Sequence, residues 1–278
     1  MSWEVVRGEP DPRLRGCALR LVGFTEAPAT PAVRRELPSA VVPLIVSFGA
    51  PYRVVSPDRP GEAAAPREGF VAGLGERWAD TETTGPAACV QLDLTPTGAH
   101  RLLGGMPMDE LAGRAVGLGD LFGAEGGLLA ERLHAAAGWE ERFALVQGFA
   151  AARMAAAPPS APGVLRALAR LHETGGTVDV RALAAEVGWS RKHLAARFRE
   201  QVGLAPKALA RVLRFRRALR LLGGPGAARS AIALRCGYYD QAHFNRDFRA
   251  LAGIAPGAWL RARAVDGPDA PVEWPEDG

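Results

Sequence analysis

The chain contains one segment twice, about fifty residues apart. The first copy, GWSRKHLAARFREQVGLAP, covers residues 188–206, and the second copy, GYYDQAHFNRDFRALAGIAP, covers residues 237–256. The copies agree at positions of apolar or helix-ending type, namely Leu194 and Phe244, Phe198 and Phe248, Gly203 and Gly253, and Pro206 and Pro256. A chain that repeats its apolar and helix-ending residues is expected to build the same packed unit twice.

Each copy predicts a helix-turn-helix motif. A short helix is expected to end at Gly188 in the first copy and at Gly237 in the second. A residue of N-cap type follows each glycine, Ser190 in the first copy and Asp240 in the second. In the helix after the cap, apolar residues recur every four positions and mark one buried face. A helix, a glycine-bearing turn and a capped helix in this order are typical of a helix-turn-helix.

The segment between the copies predicts one long amphipathic helix over residues 206–224. Its apolar face carries Leu209, Val212, Leu213 and Leu221, and its basic face carries Arg211, Arg214, Arg216, Arg217 and Arg220. Some 17 helical residues span about 25 Å. Such a strut could hold two helices roughly 34 Å apart, which is the repeat of the major groove along one side of DNA. One chain could therefore read two successive turns of DNA without dimerising.

Positive charge is concentrated in the region that contains the repeats. Residues 161–263 carry 19 Lys plus Arg against six Asp plus Glu, a net charge of +13. Residues 1–160 have a net charge of −4 and residues 264–278 a net charge of −5, so the overall +4 conceals the asymmetry. The distribution indicates a polyanion as the partner of the repeat region. A solvated charged face is the alternative explanation of the same count.

The segment AAAPPSAPG, residues 155–163, predicts a boundary between two domains. It has no charge and three prolines, as spacers between independently folding units often do. We predict an α+β protein with an effector-sensing domain over residues 1–155, a linker over 156–161 and an all-α domain over 162–263. The all-α domain would contain the two helix-turn-helix motifs joined by the long helix. Residues 264–278 are predicted to form an acidic, disordered tail.

The N-terminal domain predicts a small mixed sheet followed by helices. Short apolar or alternating segments bounded by Pro, Gly and acidic turns favour strands up to about residue 95, as in CVQLDL at residues 89–94. Residues 97–154 show the spacing of helices instead. The chain has no apolar stretch of about 18 residues and no secretory leader, which predicts a cytoplasmic protein without membrane contact.

No pattern in the N-terminal domain identifies chemistry. His100 and His134 lack the spacing that places two imidazoles on one ion. The three cysteines, Cys17, Cys89 and Cys236, are scattered, without a CxxC pair. We therefore predict no catalytic residue, no metal and no cofactor, and a protein that is not an enzyme.

Aromatic residues are the candidates for ligand contact in the N-terminal domain. Trp78, Trp139 and Phe143 could line a pocket for a small molecule. Aromatic residues at helical spacing more often belong to the core, so this assignment competes with a purely structural one.

The repeat region resembles the DNA-binding domain of the AraC/XylS family of bacterial transcription regulators. Residues 232–261, IALRCGYYDQAHFNRDFRALAGIAPGAWLR, are close to that family's signature segment. Both motifs and the linking helix occur in the expected order over residues 162–263. The resemblance implies a sequence-specific regulator such as an activator, associated with the nucleoid. It implies double-stranded DNA as a partner, with RNA polymerase and a second copy of the chain as further candidates.

The N-terminal domain is similar, much more weakly, to the sensor regions that precede this domain in many family members. Those regions are often small cupin-like barrels followed by helices and respond to a small-molecule effector. The helix-rich stretch from about residue 96 to 154 departs from a plain cupin pattern, and the metal-binding histidines of enzymatic cupins are absent. The barrel geometry and the class of effector therefore stay open.

The residues expected to meet DNA fall in the second helix of each motif. In the second motif, Gln241 and Asn245 can pair with adenine and Arg246 with guanine. In the first motif, the resemblance places base contacts on Lys192, Ala195 and Ala196. A further base-facing position is Ala242. The candidates for phosphate contact are Ser190, Arg191, His193, Arg197, Arg199, His243 and Arg249, and the two histidines could equally have structural roles.

Two other classes of function remain compatible with the sequence. One is an enzyme that carries this DNA-binding module, such as a repair protein with a reactive cysteine. Cys17 and Cys89 would be its candidates in the N-terminal domain, and neither has the flanking pattern of an activated thiol. The other is an architectural DNA binder without a ligand. A concave apolar pocket would favour the ligand-sensing regulator, and a thiol with a lowered pKa beside a base would favour the enzyme.

Overall fold

The N-terminal domain is built on two antiparallel β-sheets. The computed structural model describes residues 2–27, 32–58, 63–83, 85–224 and 228–266. The strands are β1 (Ser2–Gly8), β2 (Ala18–Ala27), β3 (Ala32–Glu36), β4 (Val42–Ser47), β5 (Arg53–Val55), β6 (Gly69–Ala72), β7 (Ala79–Thr83), β8 (Ala87–Leu94) and β9 (Ala115–Gly117). One sheet has the order β1-β2-β8-β4-β6-β9 and the other β3-β7-β5. Every ladder among these strands is antiparallel, so the sheet expected to be mixed is not.

The side chains of β8 alternate between two environments. Val90 and Leu92 point to the helices and belong to the main hydrophobic core. Gln91 and Asp93 point the other way, into a cavity between the two sheets. The neighbouring strand β4 alternates in the same sense. The period of two along a strand therefore gives the larger sheet one face for the core and one for the cavity.

Helices cover the outer face of the larger sheet. They are α1 (Pro96–Leu102), α2 (Leu118–Phe122), α3 (Ala124–Ala135) and α4 (Trp139–Ala156), with short 3-10 helices at Pro12–Leu14 and Met108–Leu111. The hydroxyl of Thr95 caps α1 by accepting a hydrogen bond from the N–H of Gly98 at 3.0 Å. Strand β9 interrupts the region that was expected to be helical throughout. It has three residues, too few for an alternating pattern, and it forms by pairing with the distant β6.

The C-terminal domain contains the two predicted helix-turn-helix motifs. Its helices are α5 (Pro162–Glu173), α6 (Val180–Glu186), α7 (Arg191–Val202), α8 (Pro206–Gly223), α9 (Arg229–Arg235), α10 (Gln241–Ala252) and α11 (Pro256–Asp266). We call α7 the first reading helix and α10 the second reading helix. The linking helix α8 has 18 residues, which corresponds to about 27 Å. Among the described residues, no helix is long and apolar enough to cross a membrane.

Helices stand on either side of the predicted linker and continue into the predicted tail. Helix α4 ends at Ala156 and α5 begins at Pro162, so the predicted linker contains no regular element. Helix α11 continues to Asp266, past the start of the predicted tail. The rest of that tail, residues 267–278, lies outside the described residues.

One hydrophobic core runs through both domains. Buried residues of the N-terminal helices and of the helix-turn-helix motifs belong to the same contiguous cluster. Helix α7 packs against α1 and against the 3-10 helix Met108–Leu111. Across the linker, the Oε1 of the buried Gln201 accepts a hydrogen bond from the N–H of Ala161 at 2.9 Å. The first reading helix is therefore held against the N-terminal domain and not only against the other helices of its own domain.

The aromatic cluster around Phe248 predicts a large loss of stability on truncation. Phe248 is fully buried, with ring centroids 5.2 Å from Phe215 and 5.7 Å from Phe244. Phe248→Ala should lower the free energy of unfolding by about 3–5 kcal/mol, measured by urea denaturation of the full chain. The matched control is Leu234→Ala on α9, where the side chain is 64% exposed and the change should stay within about 0.5 kcal/mol. Equal losses in the two variants would contradict this packing.

Candidate nucleic-acid interface

Both reading helices begin at a side-chain cap. The Oγ of Ser190 accepts a hydrogen bond from the N–H of His193 at 3.2 Å, and the Oδ1 of Asp240 accepts one from the N–H of His243 at 2.6 Å. The preceding turns need Gly188 and Gly237, whose φ angles are 71° and 77°. The caps fix where each reading helix starts. Ser190, a predicted phosphate contact, therefore uses its oxygen within the motif and keeps its O–H as a donor.

The second reading helix presents its predicted base-contacting residues on one open face. Gln241, Ala242 and Arg246 are exposed, and Asn245 is half-buried. The side chain of Arg246 makes no hydrogen bond or ion pair with another described residue, and the same holds for the side chain of the exposed Arg249. Because these side chains are not used inside the fold, they can meet an external partner.

The first reading helix presents a weaker set. Arg191, Lys192 and Arg199 are exposed. Their side chains have no hydrogen-bond or ion-pair partner among the described residues. Ala196 is exposed and Ala195 is half-buried, and an alanine can offer only an apolar contact. The first reading helix thus offers mainly charge.

Three further candidates for phosphate contact are engaged within the domain. Arg197 forms an ion pair with Glu200 at 2.7 Å. The ring of His193 lies edge-on to Trp189, with centroids 4.7 Å apart. His243 Nδ1 accepts a hydrogen bond from the N–H of Tyr239 at 3.4 Å. These contacts favour the structural reading of the histidines that the sequence left open.

Tyr239 is a surface residue that the sequence patterns did not single out. It stands directly before the cap of the second reading helix and is 87% exposed. The turn of the second motif is one residue longer than that of the first. In the first motif the aromatic residue of the turn, Trp189, packs over Gly163 instead. The extra residue in the second turn is the sequence signal that could have indicated the exposed Tyr239.

The arginines of α8 divide between the two domains instead of forming one basic face. Arg211 Nη2 lies 3.1 Å from Asp247 Oδ1, and Arg214 lies over the ring of Tyr238 at 5.5 Å. Burial and the neighbouring charge of Arg220 lower the pKa of Arg216 to about 9. These arginines contribute to packing within the protein as much as to an external surface.

A cavity of about 1060 Å³ lies between the two sheets of the N-terminal domain. Phe24, Ile45, Phe70 and Trp78 give it an apolar lining. Trp139 and Phe143, the other two predicted ligand contacts, stack on each other 6.0 Å apart and do not line it. They pack over the outer face of the larger sheet, where a Cβ on Gly23 would lie 2.4 Å from Trp139 and one on Gly8 2.8 Å from Phe143.

Two charged clusters of the cavity wall are ion-paired. Asp93, 1% exposed, lies 2.7 Å from Arg20 Nε and accepts a hydrogen bond from Gln91 Nε2 at 2.6 Å. Arg34 forms an ion pair with the buried Glu26, with Nη1 3.1 Å from Oε1. Pairing removes the cost of isolated charges and leaves a lining that is apolar with fixed polar points.

Two further groups of the wall are shifted toward their neutral forms. Glu36 lines the cavity and is exposed to solvent, yet desolvation by the surrounding protein raises its pKa, against the charges of Arg34 and Arg216. Burial raises the pKa of the Cys89 thiol to about 12, and its Sγ lies 3.9 Å from the hydroxyl of Tyr52. Arg216 belongs to α8, so the charge of the linking helix reaches the cavity wall.

The histidines and cysteines form no recognisable reaction centre in the described part of the chain. His100 is buried beside α7, whereas His134 is exposed and its Nδ1 lies 3.3 Å from the carbonyl oxygen of Phe48. All three cysteines are buried and unbridged. The described residues include no group of three or more His, Cys, Asp or Glu that could hold a metal ion.

Residues 183–262 match the family model of a helix-turn-helix domain. The match covers the linking helix, the second motif and the first motif from Leu183 onward. The C-terminal domain is a DNA-binding domain of the AraC/XylS type, as the signature segment predicted. The chain is accordingly a DNA-binding transcription regulator.

Several solved structures are similar to this chain. The DNA-binding domain of AdpA, a global transcriptional factor, in complex with a target DNA is 28% identical over 40% of this chain and 100% of that chain, with a TM-score of 0.37. A transcriptional regulator from Chromobacterium violaceum is 27% identical over 38% of this chain and 96% of that one (TM-score 0.35). ToxT from Vibrio cholerae, with unsaturated fatty acid bound, is 10% identical over 91% and 96% of the two chains (TM-score 0.48). No curated protein sequence matches the chain.

The two caps predict matched losses of stability. Ser190→Ala and Asp240→Ala should each lower the free energy of unfolding by about 0.5–2 kcal/mol, because each leaves the first turn of a reading helix without its acceptor. Chemical denaturation of the full chain measures the loss. Asp240→Asn keeps an acceptor and should retain most of the stability, so a loss as large as that of Asp240→Ala would contradict the capping role.

Proposed function

We propose that the protein reads two successive major-groove segments of DNA, one with each reading helix, in response to a small molecule bound between the sheets of the N-terminal domain. The main support for DNA reading is the exposed face of the second reading helix. Gln241 and Arg246 are exposed there, and Asp240 fixes the start of the helix. Base-contacting residues must be free of internal partners and rigidly placed, and these residues meet both conditions.

The two helices would contribute unequally to specificity. In the second reading helix, Gln241 and Asn245 are suited to bidentate pairing with adenine and Arg246 to pairing with guanine, each good pair giving about 1–3 kcal/mol of discrimination. In the first, Lys192 could reach a guanine or a phosphate, and Ala196 could touch a thymine methyl. Most sequence preference would therefore come from the second helix, while the first adds affinity.

Phosphate contacts would position the protein on the duplex. Arg191, Arg199 and Arg249 are exposed and unpaired among the described residues. Each cation that neutralises a phosphate releases a condensed counterion, so binding should weaken steeply as salt is added. These contacts carry no sequence information.

Arg246→Ala should relax preference at one base position of the site, at a cost of about 1–3 kcal/mol on the preferred duplex. The matched control is Arg249→Ala on the same helix, which should weaken binding to all duplexes about equally and reduce the slope of log Kd against log salt by about 1. Fluorescence anisotropy with a duplex selected from a random library, and its single-base variants, measures both. Equal weakening on every duplex by Arg246→Ala would refute its base-reading role.

The cavity supports the ligand-responsive part of the proposal. Its volume of about 1060 Å³ is at the upper end for small-molecule sites, and it combines an apolar lining with paired charges at its wall. Such a site suits a mostly apolar molecule that carries a few polar groups. An architectural DNA binder would have no need of it, so the cavity favours the regulator over that alternative.

Ligand binding in the cavity should raise thermal stability. In a thermal-shift screen of mostly apolar small molecules with the full chain, a ligand at 100 times its Kd stabilises the native state by about 2.7 kcal/mol. Ile45→Trp, which places an indole in the cavity, should abolish the shift. The control Leu128→Trp, on the exposed surface of α3, should keep it. A shift that survives Ile45→Trp would mean that the ligand binds elsewhere.

The reactive-cysteine enzyme is the less favoured alternative. Cys89 is buried, its pKa is raised and its polar neighbour is the Tyr52 hydroxyl, so its thiolate is disfavoured at neutral pH. Cys17 is also buried, and its Sγ lies 3.6 Å from an arginine nitrogen and not beside a base. A nucleophilic role needs a thiol that a substrate can reach, and both thiols are buried.

A further inference from the structure

The two reading helices end in the same way and both ends touch the N-terminal domain. Gly203 closes the first reading helix with φ 94°, and Gly253 closes the second with φ 76°. A Cβ on Gly203 would lie 3.0 Å from the carbonyl oxygen of Met108, and a Cβ on Gly253 would lie 2.3 Å from Nε1 of Trp78. The equivalent glycine of each repeat is therefore a point of close approach, besides supplying the left-handed turn that ends the helix.

The contact of the first reading helix is with a rigid part of the core. Met108 is 1% exposed and begins the 3-10 helix Met108–Leu111. Residues of this 3-10 helix and of α1 pack directly on α7. Met108 is not part of the cavity wall. A ligand in the cavity would therefore not touch Met108 directly.

The contact of the second reading helix is with the cavity wall itself. Trp78 lines the cavity and stands just before β7, at the end of the connection that crosses from the larger sheet to the smaller one. The guanidinium of Arg35 lies 3.7 Å from the centre of its ring. A ligand that fills this part of the cavity can therefore contact the same side chain that contacts Gly253.

A chain of ion pairs reinforces the second contact. Glu76, two residues before Trp78, has its Oε1 3.4 Å from Arg211 Nη1. The other terminal nitrogen of Arg211 lies 3.1 Å from Asp247 of the second reading helix. The connection between the sheets thus holds the second reading helix at two points, through Trp78 at its end and through Arg211 at its middle.

We propose that Met108 and Trp78 are positioning residues for DNA reading, which hold the two reading helices at a fixed separation. Met108 fixes the first helix to the core, and Trp78, with Glu76, ties the second helix to the wall of the cavity. Filling the cavity moves the second helix relative to the first. Because the spacing of major-groove segments is set by the DNA, a small displacement of one helix breaks or restores simultaneous reading. The consequence for DNA rests on the proposed function, whereas the mechanical link does not.

Hydrogen–deuterium exchange of the full chain tests the link without DNA or ligand. Trp78→Ala should speed exchange in residues 249–253 by about twofold to tenfold and leave residues 199–203 unchanged, because only the second helix end loses its contact. Trp78→Phe should restore most of the protection. Glu76→Gln, which leaves the Arg211–Asp247 pair intact, should give a smaller change of the same kind, about twofold.

Arg77→Gln is the matched control for these variants. Arg77 lies between Glu76 and Trp78 but pairs with Asp58 inside the N-terminal domain, so its loss should leave residues 249–253 unchanged. If Trp78→Ala unfolds the cavity wall, exchange at residues 249–253 in Glu76→Gln still tests whether the connection holds the second reading helix. Unchanged exchange at residues 249–253 in Glu76→Gln, or equal changes at both helix ends, would overturn the proposal.

A second experiment tests the consequence for DNA. A duplex selected from a random library by the full chain is compared with the same duplex carrying one inserted base pair between the two segments. The wild-type chain should lose affinity on insertion, and Trp78→Ala should shrink that penalty at least about threefold, since its second helix can follow the displaced segment. A penalty that is unchanged in Trp78→Ala would overturn the positioning role. If the wild-type chain selects no duplex at all, the proposed function fails while the exchange result still stands.

Discussion

The burial of one phenylalanine at the same place in each repeat is the interaction on which the C-terminal domain depends. Phe198 and Phe248 are both fully buried, and the exposed Arg246, two residues before Phe248, points to roughly the opposite side of the second reading helix. Side chains on a helix keep a fixed angular relation, so a helix that buries its phenylalanine must turn the other face outward. The repeated core residue therefore determines which residues are available to DNA in both motifs, although the exposed residues differ.

The larger sheet of the N-terminal domain obeys a comparable constraint. In its central strand β8, Val90 and Leu92 pack against the helices, while Gln91 and Asp93 line the cavity. A strand buried on one face and lining a cavity on the other can keep polar residues only where they are paired, which is the role of Arg20 beside Asp93. The cavity thus has ion-paired charges at fixed points of its wall. Its apolar lining and its paired charges come from one alternating strand pattern.

Much of the C-terminal domain could be predicted from sequence because its signals are local. Caps, glycine turns and four-residue apolar spacing place both motifs and the long helix, and the structure confirms them. The antiparallel pairing and β9 could not be predicted, since they depend on partners far away in the chain. The cavity escaped prediction for the same reason. Of the three aromatic candidates, Trp78 lines the cavity. Trp139 and Phe143 pack on the core, as aromatic residues more often do.

The inequality of the two reading helices has a geometric consequence. The first offers Ala195 and Ala196 where the second offers Asn245 and Arg246, and both lie on one polypeptide. If both helices read DNA as proposed, their combined target lacks the two-fold rotational symmetry of a palindrome that a pair of identical subunits reads. A protein with two unequal reading helices would bind an asymmetric site in one orientation along the DNA. Reversing the site turns the N-terminal domain to the other side along the DNA, so the orientation of the site, and not only its sequence, decides which neighbouring protein that domain can meet.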